Sequence, residues 1–139
     1  MRGRRTHAVP AAAHPVYERW RVETFRDLLL TRSGETDRRR LGELMYESHA
    51  SYGRCGLGSE GTDRLVALVR AEGPAAGLYG ARITGGGSGG TVAVLGRRDA
   101  APAIARVADA YERQTGYRPH IFAGSSPGVA ALGSQSIVV

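Results

Sequence analysis

The chain has 139 residues, 42% of them hydrophobic and 23% charged, with a formal net charge of +6. That is the length and composition of one globular domain, and no apolar run approaches the ~18 residues of a membrane span. All 19 basic residues are arginine, which excludes chemistry that needs a lysine, such as a Walker-A phosphate loop or a Schiff base.

The single cysteine, Cys55, cannot form an internal disulfide, so the expected location is cytoplasmic. No apolar segment follows the basic N-terminus, so no signal peptide is read there. Residues 1–40 hold ten arginines and five acids. The arginines come in small groups interleaved with carboxylates, which favours a solvated face over a nucleic-acid grip.

Residues 1–13 read as an irregular lead-in, and Pro15 suits the first turn of a helix. Val16, Trp20, Phe25, Leu28 and Leu29 form a helical stripe as far as Thr31, before Ser33-Gly34 breaks it. A second helix is predicted over 36–52, with Leu41, Leu44, Met45, Ser48, His49 and Tyr52 on one side. His49 therefore reads as a half-buried, satisfied histidine, and Cys55 as a small buried filler.

A third helix is predicted over 62–71, with Leu65, Leu68 and Val69 on one side and Ser59 or Thr62 as its cap. "LYGARIT" and "TVAVLG" read as strands on either side of the glycines. A fourth helix follows, N-capped by Asp99 and ended by Gly116, with Ile104, Val107, Ala108 and Tyr111 at helical spacing. "HIFAG" reads as a third strand, followed by a Ser/Gly/Pro tail with a last short strand. The order is α+β, and the two strands flanking the glycines are expected to pair antiparallel.

Three letter patterns invite a function. Gly85, Gly87 and Gly90 satisfy the dinucleotide fingerprint, but a strand follows them where that fingerprint needs a helix. Gly56, Gly58 and Gly61 satisfy it too, and here two readings stay open: a tight turn with a capped helix, or a helix N-terminus aimed at an anion. Gly124 to Gly128 fit a nucleophile elbow, yet neither acid nor histidine follows Ser126, and Pro127 removes an N–H that an oxyanion hole needs. No histidine or cysteine pair has metal-ligand spacing. The glycine run itself can form an anion nest of backbone N–H groups or can support a neighbouring loop.

Four blocks in order, "HPVYERWRVETFRDLL", "LGELMYESHASYGRCGLGSEGTDRLVALV", "GARITGGGSGGTVAVLG" and "QTGYRPHIFAGSSPG", resemble the C-terminal domain of the GHMP kinases. Within that superfamily they resemble the galactokinase-like sugar kinases of the L-arabinokinase kind. The resemblance covers about 14–128 and implies an α+β domain, residues 14–139, with an antiparallel sheet packed by helices. It implies transfer of the ATP γ-phosphoryl group to the anomeric hydroxyl of a monosaccharide, with Mg²⁺ on the phosphates. It also implies that Gly85, Gly86, Gly87, Ser88, Gly89 and Gly90 lie beside the main ATP-phosphate loop and help shape it.

That main loop, the sugar contacts and the catalytic aspartate belong to an N-terminal domain that nothing in this sequence matches. No catalytic residue and no metal ligand is therefore assigned here. The expectation is a kinase half, inactive by itself, whose partner would be an N-terminal kinase half. The alternative is a non-catalytic interaction module or a truncated remnant.

Overall fold

The strand that lies deepest, Leu78–Thr84, organises the rest of the chain. The structure is a computed structural model that describes residues 8–31, 34–87 and 89–124. In chain order its elements are α1 (Ala8–Thr31), α2 (Glu35–Arg54), α3 (Glu60–Glu72), a short 3₁₀ turn (Pro74–Ala76), β1 (Leu78–Thr84), β2 (Thr91–Gly96) and α4 (Ala101–Thr115). The two strands pair antiparallel, as expected, with Thr84 opposite Thr91 and Ile83 opposite Val92. Among the described residues no helix is long and apolar enough to cross a membrane.

The core joins Tyr46 of α2, Val66 and Val69 of α3, Leu78 and Ala81 of β1, and Val107 of α4. Burying each larger apolar side chain contributes about 1.5–3 kcal/mol. α2 lies unusually close on β1. A Cβ added to Gly42 would sit 1.9 Å from the Tyr79 carbonyl oxygen, and one added to Gly80 would sit 2.5 Å from Gly42 Cα. Two glycines thus let helix and strand meet backbone to backbone.

Several expectations are corrected. α1 begins at Ala8 rather than at Pro15, so part of the expected irregular lead-in is helical. Pro10 falls in the first turn, where its missing N–H is no loss, and Ala11 to Ala13 are the strongest helix formers. Pro15 forfeits its bond to the Ala11 carbonyl. His14 holds this stretch to α2 through a 2.7 Å hydrogen bond with Ser51 and an edge-on contact with Tyr52.

Asp99 does not cap α4. Its carboxylate takes a hydrogen bond from Arg97 at 3.1 Å, and the capping position is the buried Ala100. "HIFAG" is not a strand: His120 to Gly124 have no regular structure and Phe122 is 82% exposed. Nothing among the described residues pairs with this segment, and a lone extended segment has no ladder to hold it. Cys55 is half-buried rather than buried. The α1 stripe is helical but largely uncovered, with Val16 70% and Trp20 51% exposed. The nucleophile-elbow residues after Gly124 and the last predicted strand lie outside the described residues.

Candidate phosphate-binding glycine loop

After the Thr84–Thr91 pair the hairpin turns through the glycine run. Gly85, Gly87, Gly89 and Gly90 have φ of +77°, +89°, +123° and +107°, values that side-chain-bearing residues rarely adopt. The loop has two faces. A Cβ on Gly87 would come within 2.8 Å of both Leu57 Cβ and the Leu57 carbonyl oxygen, and one on Gly89 would lie 3.6 Å from Ser59 Oγ. Gly85, Gly86 and Gly90 face open space and are exposed. Ser88, the remaining residue of the expected site, lies outside the described residues. Gly87 is thus seated against the start of α3, while Gly85, Gly86 and Gly90 present an open backbone surface.

The seat is the turn that starts α3. Leu57 donates its N–H to the Tyr52 carbonyl at 3.1 Å, and Gly56 takes the left-handed φ of +78° that ends α2. Ser59 caps α3, accepting the Thr62 N–H at 3.4 Å, while the Thr62 hydroxyl donates to the Ser59 carbonyl at 3.0 Å. The capped-helix reading of Gly56, Gly58 and Gly61 is thus the observed one. It also brings a helix N-terminus, with its first-turn N–H groups free of intrahelical partners, up to the glycine loop. Two glycine-rich segments far apart in sequence meet here.

The model of the family described as GHMP kinases C terminal matches residues 26–113, from within α1 to near the end of α4. This chain belongs to the GHMP kinase C-terminal family. L-arabinokinase of Arabidopsis thaliana is 46% identical over 94% of the chain. The chain spans only 13% of the length of that relative.

Two arginines of this GHMP domain, one on α3 and one on β1, are already engaged. Arg64 pairs with Glu60 at 3.0 Å and Arg82 with Glu18 at 2.8 Å. Glu18 of α1 is the hub that fastens α1 to α2 and β1, accepting from Ser48, from Arg21 at 3.0 Å and from Arg82. Burial acts to raise its pKa. The bonds from Ser48 and Arg21 and the Arg82 charge outweigh that and hold it below the ordinary 4.5. Its contribution to stability is whole above 4.5 and is lost as pH falls through the lowered value. Arg21 is itself buried, and its Nε, 3.6 Å from the Glu47 carboxylate, makes no hydrogen bond.

Sequence reasoning placed His49 correctly as half-buried and satisfied, but missed its partners. His49 Nδ1 accepts the Ile83 N–H at 3.2 Å, and Nε2 lies 3.2 Å from Asp63 Oδ1. Glu18, Arg82 and Asp63 were also missed. Only the i, i+3 spacing of Glu18 and Arg21 left a trace in the sequence. Among the described residues no group of three His, Cys, Asp or Glu side chains could hold a metal ion. The described residues therefore offer no ready-made cluster for a resident Mg²⁺.

Proposed function

We propose that this domain supplies the C-terminal half of the phosphate site of a cytoplasmic ATP-dependent sugar 1-kinase, in which the ATP γ-phosphoryl group passes to the anomeric hydroxyl of a monosaccharide. One observation carries the reading. Gly87 is seated on Leu57 at the start of α3, which leaves the exposed backbone of Gly85, Gly86 and Gly90 beside a helix N-terminus. Open glycine backbone next to such a terminus is the arrangement that accepts phosphate oxygens. The family membership and the name of the plant relative support the reaction class and the sugar.

The loop orients phosphate oxygens through N–H groups and keeps side chains out of their way. Its described residues are all glycine and carry no charged side chain, and Arg64 and Arg82 pair with carboxylates. Phosphoryl transfer depends on positioning together with charge stabilisation, and the glycine loop contributes to the positioning. Mg²⁺, where it accompanies the nucleotide, neutralises phosphate charge, and no step in this domain runs through it. The sugar contacts and the acceptor's base fall to an N-terminal kinase half.

The chain alone is therefore expected to form no sugar 1-phosphate from ATP, Mg²⁺ and L-arabinose or galactose. Adding an N-terminal half that bears the main ATP-phosphate loop is expected to restore it. Enzymatic turnover by the chain alone would overturn this division of labour.

A second reading, a non-catalytic interaction module, is favoured by the uncovered face of α1, where Val16, Trp20 and Leu30 are 70%, 51% and 77% exposed. It expects light scattering to record self-association that grows with concentration. A clean monomer at high concentration counts against it.

A further inference from the structure

We propose that His49 is a positioning residue, paired with Asp63 in a proton-gated clip that holds the glycine loop against the N-terminus of α3. The contacts close a circuit. Ile83, two residues before the loop, gives its N–H to His49 Nδ1. His49 Nε2 meets Asp63 in the first turn of α3. The Asp63 carboxylate stands over Gly58, where an added Cβ would be 3.4 Å from Oδ1. Gly58 adjoins Leu57, the seat of Gly87, and Gly87 returns the path to the loop. One imidazole from α2 thus sets the distance between the end of β1 and the turn on which the loop rests.

The circuit fixes a protonation state. Because Nδ1 accepts a backbone N–H, the ring is neutral with its proton on Nε2, directed at Asp63. A second proton must go to Nδ1, and a protonated Nδ1 cannot accept from Ile83. The clip then opens on the β1 side while the Asp63 contact persists as an ion pair. The charged groups facing the ring are Asp63 from α3 and Arg82 from β1, and the Arg82 guanidinium is itself held by Glu18 of α1. Burial pushes the His49 pKa down, outweighing Asp63, so the ring stays neutral at the pH of ordinary cytoplasm. The folded state's lowered value means that the stability owed to this contact is whole above the ordinary 6.5 and fades as pH falls below it.

The test uses the full chain without ligand and follows the nuclear Overhauser contact between Gly87 and Leu57 from pH about 7.5 down to about 5, across the range where histidines titrate. The contact is expected to be present at the upper end and lost as His49 titrates. In His49→Asn, whose Oδ1 stands where Nδ1 does and can accept from Ile83 at either pH, it is expected to persist throughout. In Asp63→Asn the loss is expected at lower pH, because the Asp63 charge holds the His49 pKa up.

A wild-type contact that survives the His49 titration unchanged overturns the clip, and that measurement needs no variant to fold. Loss with the same pH dependence in His49→Asn overturns it as well. What the clip does for phosphate binding rests on the reading proposed above. Shifts of the Gly85 and Gly86 amides on adding inorganic pyrophosphate judge that reading separately, so each idea can fail alone.

Discussion

Gly42→Ala is expected to cost about 3 kcal/mol or more, at the upper end of overpacking changes. For a chain of this size that lowers the melting temperature by about 10 °C or more. The added methyl would stand 1.9 Å from the Tyr79 carbonyl oxygen and 2.4 Å from its carbon, whereas non-bonded heavy atoms prefer about 3.5–4.0 Å. Neither side of the contact can yield as a side chain does, because both are backbone, one in a helix and one in the buried strand. α2 must lift from β1, and Leu44 and Tyr46, both buried, lift with it. Gly53→Ala is the internal control in the same helix. An added Cβ there meets nothing within 4 Å, so the change is expected to be neutral or to stabilise by up to about 1 kcal/mol through helix propensity. Thermal melts followed by far-UV circular dichroism decide between these outcomes. Equal melting temperatures for the two variants would mean that the backbone contact does not govern stability.

Gly42 and its partner across the helix–strand contact, Gly80, mark the limit of what could be read from the sequence. α2, α3 and α4 were legible because Leu44, Val69 and Val107 recur with their neighbours at helical spacing, and spacing is a local property. The hairpin was legible because apolar strands flank a turn that only glycine builds readily. Gly42, by contrast, looks like a flaw in a helix until Gly80 is seen against it, and nothing in either segment names the other. The seat of Gly87 on Leu57 is of the same kind. So are the partners of His49, although its place on an apolar stripe was enough to predict that it would be satisfied. The α1 stripe shows the opposite limit: periodicity defines a face but does not say what covers it, and Val16 and Trp20 are exposed. Asp99 had the chemistry of a cap, but its carboxylate pairs with Arg97 instead.

Within the loop, Gly86→Ala and Gly87→Ala should separate the two faces. Gly86 has no positive φ and nothing within 4 Å of an added Cβ, so alanine there is expected to leave stability within about 0.5 kcal/mol. Gly87 combines a φ of +89° with a methyl 2.8 Å from Leu57, and alanine there must push the loop off its seat as well as bear about 1–2 kcal/mol of backbone strain. In the kinase completed by an N-terminal half, a loop displaced by about 1 Å is expected to lower kcat/KM on the order of 10²-fold. The informative variant is Gly86→Ala. If the open face meets phosphate, its methyl occupies the space of a phosphate oxygen, and the enzyme loses turnover or ATP affinity while its melting temperature stays put. A fully active Gly86→Ala enzyme beside an impaired Gly87→Ala enzyme would reduce the loop to a support for its neighbour, since only the seated face would then affect the reaction.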